Sequence, residues 1–193
     1  LLDTSSSQPW LTLETAEALA GIGVAMVDAP VSGAQIGAQT GELVFMVGAE
    51  PDVLERVRPL FEVLGKQVFH LGGVGAGHSM KCLNNMITAM TFMVTAEGLA
   101  IGKKLGLDPD VMTDVLNVST GGSWISQTHI KQRITSRTFD DAFKLRLMLK
   151  DIGIAMRLAG DQSIPVPLCG TGHQLWRAAA QHTQADSSIS EMV

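Results

Sequence analysis

A glycine-rich turn that leads directly into a long apolar segment most constrains how this chain can fold. The glycines lie at positions 72, 73, 75 and 77, and Glu97 is the only charge between Lys81 and Lys103. Glycine has no Cβ, so such a cluster suits a tight turn or a close approach of two backbones. The apolar residues that follow recur at spacings of three and four, which predicts a long helix that buries Met80, Leu83, Ile87, Met90 and Val94. The segment also contains Asn and Thr residues and Glu97, so it is unlike a membrane-spanning helix.

The polar side chains in the first turns of this predicted helix include Lys81, Asn84 and Asn85. Lys81 and Asn85 are four residues apart, so they share one face of the helix. Burial would lower the pKa of the lysine and make it a usable general acid or base. A partly exposed lysine that reaches solvent from the start of a helix is the structural alternative, and the spacing alone leaves both open.

Composition limits the classes of protein to which the chain can belong. It has 193 residues, of which 46% are hydrophobic and 17% charged, enough for one large or two small domains with a substantial core. A net charge of −5 argues against nucleic acid as a partner. The cysteines at 82 and 169 fit neither a disulfide framework nor a metal site, so we expect a reducing, cytoplasmic setting. The five histidines form no ligand cluster, so we expect no metal.

Strand and helix signals alternate over the first 71 residues, which predicts part of an α/β sheet. We predict strands at 1–4, 24–27, 43–47 and 67–71, an irregular loop from 33 to 40, and helices from Pro9 and from Pro51. The predicted inward residues are Leu13, Ala16, Leu19 and Ala20 in the first helix, and Val53, Leu54, Val57, Leu60, Phe61 and Leu64 in the second. Ligands bind beyond the carboxyl ends of such strands, so Ser6, Ser32 and the glycine turn could share a crevice. Ordinary loop polarity is the alternative.

Helical signals alone follow from Gly77 onward. Asp108-Pro109 reads as an N-cap and first helical residue, and Ser123 can cap a helix near Trp124. Further helices are predicted to begin at 138–141 and to cover 169–181. We therefore predict an α/β part over 1–76 and an all-helical domain over 77–193, of about 115 residues, a usual domain size. Lys150-Asp151 lies within one helix, either as an outward charge pair or as a functional pair.

Three ordered motifs resemble those of the β-hydroxyacid dehydrogenase family. The first is Asp28-Ala-Pro-Val-Ser-Gly33 with Ala38-x-x-Gly41-x-Leu43-x-Phe-Met-Val-Gly48, and the second is Gly75-x-Gly77-x-x-x-Lys81-x-x-Asn84-Asn85. The third is Phe143-x-x-x-Leu147-Met-x-Lys150-Asp151-x-x-x-Ala155. The resemblance implies the C-terminal part of a Rossmann-type domain, joined by a long helix to a helical domain like that of 6-phosphogluconate dehydrogenase.

The resemblance also implies roles for particular residues. An enzyme of this family oxidises a small β-hydroxyacid, such as 3-hydroxyisobutyrate, with NAD or NADP as cofactor. The implied catalytic residues are Lys81, as general acid/base, and Asn85, which would orient the hydroxyl and Lys81. The implied substrate-binding residues are Ser32, Gly33, Ala34, Phe143 and Asp151, and the implied cofactor-binding residues are Ser6 and Lys150.

Two departures from the family pattern affect these expectations. Ala34 stands where the family usually has a second glycine, so its methyl group could narrow the substrate pocket. The Gly-x-Gly-x-x-Gly turn, which carries the cofactor phosphates, is absent and would belong before Leu1. We therefore expect the chain to be the later part of a longer protein, and the 193-residue chain alone to bind dinucleotide weakly and to turn over no substrate.

Other functions stay open at this point. A related reductase could act on tartronate semialdehyde, another aldehyde or an imine. The helical part could instead serve as a non-catalytic module that assembles copies of the chain. The resemblance implies a homodimer or homotetramer formed through the helical domain, and we expect neither nucleic acid nor membrane as a partner.

Overall fold

The computed structural model describes residues 1–192 and divides the chain into two compact units, Leu1–Asn84 and Asn85–Val193. The first unit is α/β and the second is built from helices. One long helix, Ala76–Lys104, belongs to both units, and we number it α4. The predicted fold class, a Rossmann-type part followed by an all-helical part, is confirmed. The domain boundary after residue 76 stays a prediction, and Val193, the last residue of the predicted helical domain, lies outside the described residues.

The α/β unit contains a mixed five-stranded sheet and three helices before α4. The strands are β1 (Leu2–Asp3), β2 (Val27–Asp28), β3 (Val31–Ser32), β4 (Leu43–Gly48) and β5 (Gly65–Gly72). The helices are α1 (Pro9–Ala20), α2 (Ala34–Thr40) and α3 (Pro51–Leu64). β1 pairs in parallel with β2, and β5 with β4, whereas β2 and β3 are antiparallel to β4.

The apolar core of this unit lies between the sheet and α3. Phe45 on β4 and Phe61 on α3 are fully buried, with ring centroids 4.6 Å apart. Leu54 is buried about two helical turns before Phe61. The prediction that Leu60 and Leu64 point into the core is wrong, because these side chains are 53% and 48% exposed. A helix that lies on a sheet buries one stripe of side chains, and both leucines lie outside that stripe.

Two further predictions for this unit are corrected. The segment 34–40 is the helix α2 and not an irregular loop. In α1 the buried residues are Pro9 and Thr12, whereas Leu13 is 54% exposed. Thr12 is buried because its hydroxyl has polar partners within the unit, which hydropathy alone does not reveal.

Up to residue 192, the helical unit packs five helices and two short helical turns around one core. After α4 these are α5 (Pro109–Asn117), α6 (Trp124–Thr128), a π-helical turn (Ile130–Thr135), α7 (Leu145–Asp161), α8 (Pro167–His182) and a 3₁₀ turn (Ile189–Met192). The largest fully buried side chains include Phe92, Ile125, Met148, Ile152 and Trp176. The rings of Phe92 and Trp176 lie 6.1 Å apart. None of the helices within the described residues is long and apolar enough to cross a membrane.

The structure confirms the predicted helix caps at Asp108 and Ser123, but one predicted helix start is wrong. The Asp108 side chain accepts hydrogen bonds from the first turn of α5, and Ser123 forms a capping box with Ser126 at the start of α6. The helix predicted to begin at 138–141 begins instead at Leu145. Phe139, with φ of 49°, adopts a left-handed conformation that no α-helix contains.

The buried face of α4 differs from the predicted one. Side chains on the buried face include His78, Cys82, Asn85, Ala89 and Phe92. Of the residues predicted to be buried, Met90 packs against the helical core, but Ile87 and Val94 are 58% and 65% exposed and Met80 and Leu83 more than a third exposed. In a helix with apolar residues on every side, periodicity does not indicate which side packs.

Candidate active site

The glycine turn before α4 is anchored by a buried carboxylate. Asp28 ends β2 and is fully buried, and its side chain accepts hydrogen bonds from the backbone N–H of Gly75 (2.7 Å) and of His78 (2.8 Å). The first amides of a helix lack partners within the helix and attract negative charge. Asp28 therefore fixes the start of α4 against the sheet.

Gly77 is required by the close packing at this turn. A Cβ on Gly77 would overlap the backbone oxygens of Met46 and Asp28. Gly75 adopts a φ of 92°, a conformation that favours glycine. The glycine turn thus brings the first turn of α4 directly onto the strands β2 and β4, as the glycine cluster predicted.

A buried histidine joins α4 to the other elements of the α/β unit. The Nδ1 atom of His78 lies 2.7 Å from the hydroxyl of Thr12 on α1 and 3.8 Å from Oδ2 of Asp28. Its Nε2 atom has no hydrogen-bond partner within the described residues and lies 3.9 Å from Oδ2 of Asp3. Burial raises the pKa of Asp3, but hydrogen bonds from Ser5 and the charge of His78 outweigh it, so the pKa of Asp3 is lowered. Sequence reasoning missed this network because its members are separate in the chain.

The predicted catalytic residues both lie on α4. Lys81, in the second turn, is half-buried, and Asn85, one turn later, is 5% exposed. The position of Lys81 is set by the two bonds that hold the start of the helix at Asp28. Its role as general acid/base stays a prediction.

Within the helical unit, Asn85 belongs to a buried polar group with two predicted site residues. The Nδ2 atom of Asn85 donates to Oδ2 of Asp151 over 2.6 Å, and Nζ of Lys150 lies 3.0 Å from Oδ1 of Asp151. Asp151 is 2% exposed, so the alternative of an outward-facing charge pair is wrong for this residue. The bond to Asp151 fixes the orientation of the side-chain amide of Asn85, because only its NH₂ group can donate to a carboxylate.

The predicted substrate-binding loop follows β3. Ser32 ends this strand and is half-buried. Gly33, with φ of 123°, is the N-cap of α2, and Ala34, with φ of 52°, is its first residue. A left-handed conformation at alanine is strained, so the backbone at this position favours glycine.

The remaining predicted site residues lie at the ends of other elements. Ser6 is half-buried in the segment between β1 and α1. Phe143 precedes α7, packs against the helical core, and accepts a hydrogen bond from Ile189 through its carbonyl oxygen (3.0 Å). The structure finds no cluster of three or more possible metal ligands in residues 1–192.

Comparison with known proteins identifies the class to which this fold belongs. Residues 1–72 match the family described as the NAD binding domain of 6-phosphogluconate dehydrogenase. Residues 75–193 match the family described as NAD-binding of NADP-dependent 3-hydroxyisobutyrate dehydrogenase. Together they define a nicotinamide-dinucleotide-dependent class, whose cofactor is NAD or NADP.

Individual relatives define the family more closely. The chain is 37% identical over 193 residues to 3-hydroxyisobutyrate dehydrogenase of Pseudomonas aeruginosa, covering 97% of this chain and 64% of the relative. It is 35% identical over 176 residues to 2-(hydroxymethyl)glutarate dehydrogenase of Eubacterium barkeri, covering 91% of this chain and 58% of the relative. The structure of Mycobacterium tuberculosis 3-hydroxyisobutyrate dehydrogenase with L-serine is similar, with a TM-score of 0.87, 30% identity, and coverage of 99% of this chain and 67% of that one.

The chain belongs to the β-hydroxyacid dehydrogenase family. It spans about three-fifths of the length of these two curated relatives.

Proposed function

We propose that this chain is part of an NAD(P)-dependent dehydrogenase of small β-hydroxyacids, with Lys81 as the general acid/base. In the oxidising direction, the neutral amine of Lys81 accepts the hydroxyl proton while a hydride leaves the same carbon, and the alcohol becomes an aldehyde. When bound, NAD(P)⁺ supplies the hydride acceptor and becomes NAD(P)H. In the reducing direction, protonated Lys81 returns the proton to the carbonyl oxygen.

The observation that carries the proposal is the fixed orientation of Asn85. Asp151 holds the Nδ2 atom of Asn85, and Lys150 lies beside the same carboxylate, so the amide has one orientation. Asn85 lies one helical turn after Lys81, and the Oδ1 atom of its side chain is a hydrogen-bond acceptor. An acceptor there can bind the hydroxyl proton or the ammonium of Lys81, which is the role proposed for it.

The names of the relatives favour one substrate class. The ligand of one relative is L-serine, and the other relatives are named for 3-hydroxyisobutyrate and 2-(hydroxymethyl)glutarate. All three acids carry a CH₂OH group on the carbon next to a carboxylate. We propose that Ser32 and the backbone N–H of Gly33 bind this carboxylate, and that Ala34, Phe143 and Asp151 shape the space around the remaining substituent.

The chain contains proposed contacts to the dinucleotide, but not the glycine turn that binds its phosphates. Ser6 follows the carboxyl end of β1, which is parallel to β2, and ligands bind beyond such strand ends. Ser6 and Lys150 are the proposed cofactor contacts. The Gly-x-Gly-x-x-Gly turn that binds the phosphates does not occur in these 193 residues. We therefore propose that the isolated chain binds dinucleotide weakly and does not turn over substrate.

The proposal is tested by the absorbance of NAD(P)H formed from the three acids. We expect oxidation by a polypeptide that carries this chain behind a complete dinucleotide-binding half, and none by the 193-residue chain. Saturable turnover by the short chain would contradict the proposed incompleteness. If the longer polypeptide binds NAD(P)H but oxidises none of the acids, the proposed substrate class is wrong.

A further inference from the structure

A cavity within the helical unit has no role in the proposed reaction. It has a volume of about 510 Å³ and lies beside the second half of α4, between the start of α5 and the π-helical turn. Leu99 and Ile130 form its apolar floor, and both are buried. The volume falls within the range of small-molecule sites, about 300–1,000 Å³.

Two cations lie at the rim of this cavity, on Lys103 and Arg137. Neither side chain forms a salt bridge with any described residue. Lys103 lies in the last turn of α4, and the guanidinium of Arg137 stacks on the ring of Phe139, 4.8 Å from its centroid. Stacking orients a guanidinium and leaves its N–H groups available to an acceptor.

The two carboxylates that line the same cavity already have partners. The side chain of Asp108 accepts the N–H groups of Asp110 and Val111 as the N-cap of α5. The side chain of Asp110 accepts the hydroxyl of Thr135 over 2.6 Å. Both carboxylates keep their negative charge, but neither forms a salt bridge with Lys103 or Arg137, and their charge limits how much negative charge the cavity tolerates.

We propose that this cavity binds a monocarboxylate with an apolar body. The carboxylate lies between Lys103 and Arg137, and the apolar body lies on Leu99 and Ile130. A polyanion such as a phosphate ester fits less well, because Asp108 and Asp110 would repel its additional charge. The site lies wholly within the helical unit, so the proposal does not depend on the proposed dehydrogenase activity.

Calorimetric titration of the 193-residue chain with octanoate tests the proposal. Lys103→Gln and Arg137→Gln should each weaken binding by about tenfold or more, the equivalent of a charge-assisted hydrogen bond. Lys104→Gln, the matched control on the next residue of α4, should leave the affinity unchanged. Octylammonium, which has the same apolar body and the opposite charge, should not bind.

A second variant tests the cavity separately from its charges. Ala100→Phe adds a ring to the lining and should abolish binding, while circular dichroism checks that the fold is retained. The proposal is overturned if octanoate shows no saturable binding up to about 10 mM. It is also overturned if Ala100→Phe binds as the unmodified chain does, or if all three glutamine variants bind equally.

Discussion

Replacement of Asp28 by asparagine should destabilise the α/β unit more than the same replacement at an exposed helix cap destabilises its own unit. Asp28 is fully buried and holds two backbone N–H groups, at 2.7 Å and 2.8 Å, with one carboxylate oxygen for each. Asparagine can keep one of these bonds through its carbonyl oxygen. Its NH₂ group then faces the other N–H, so one donor loses its acceptor.

The size of the effect follows from these two bonds. A hydrogen bond to a charged group contributes about 1.5–3 kcal/mol, and an unsatisfied buried amide costs about 1–3 kcal/mol. Removal of a buried charge also relieves some desolvation, which opposes these losses. We therefore expect Asp28→Asn to lower the free energy of unfolding by about 3 kcal/mol, or the urea midpoint by about 1.5 M.

Asp108→Asn is the matched control. Asp108 also accepts two backbone N–H groups at the start of a helix, but at an exposed position. Asparagine and aspartate are nearly equal as N-caps, so this change should cost less than about 0.5 kcal/mol. The two substitutions are chemically identical and differ in burial and in the number of bonds that asparagine can keep.

The assay must report each unit separately, because two units need not unfold together. Trp10 lies on α1 in the α/β unit, and Trp176 is buried in the helical unit. Fluorine NMR of the chain labelled with 5-fluorotryptophan therefore follows both units during urea unfolding. If Asp28→Asn shifts the Trp10 midpoint no more than Asp108→Asn shifts the Trp176 midpoint, the reasoning about the buried carboxylate is wrong.

Three further predictions concern strain, a buried pair and pH. Ala34→Gly should change the free energy of unfolding by less than about 0.5 kcal/mol, because relief of the strained left-handed backbone at Ala34 offsets the greater entropy of glycine in the unfolded chain. Ala38→Gly, in a right-handed part of the same helix, should lower the free energy of unfolding by about 0.5–1 kcal/mol. Equal losses of stability for the two variants in urea unfolding would contradict the strain at Ala34. Asn85→Asp with Asp151→Asn should recover part of the stability lost in Asp151→Asn alone, and additive losses in the double-mutant cycle would refute the pairing. Burial lowers the pKa of His129 below its usual 6.5, so the unfolded chain takes up a proton at a higher pH than the folded chain does. The free energy of unfolding should therefore decrease as the pH drops below about 6.5. His129→Gln should reduce this dependence of stability on pH in unfolding measured from about pH 5 to 8.

Local signals in the sequence predicted those features that depend on neighbouring residues. Pro9 and Pro51 begin helices where expected, and Asp108 and Ser123 cap theirs, because a cap bonds to amides two or three residues away. The glycine turn was predicted for the same reason, since a missing Cβ is visible in the sequence itself.

Features that depend on distant residues were missed. The bond from Asp28 to His78 joins positions fifty residues apart, and that between Asn85 and Asp151 joins positions sixty-six apart. The buried face of α4 is chosen by packing partners, so an apolar residue such as Ile87 lies exposed while Asn85 is buried. The resemblance to a family predicts Asn85 and Asp151 as site residues, and the structure shows that they are hydrogen-bonded to each other.

The central claim, that Lys81 is the general acid/base, is tested most directly by Lys81→Met in a polypeptide with a complete dinucleotide-binding half. Turnover of 3-hydroxyisobutyrate and the dissociation constant of NAD(P)H are measured on the same sample, with Lys104→Met as the control on the same helix. We expect Lys81→Met to lower kcat by about a hundredfold or more and to change cofactor affinity by less than about twofold, while Lys104→Met changes neither. A Lys81→Met variant that keeps its kcat within about threefold of the unmodified enzyme would contradict the proposed role.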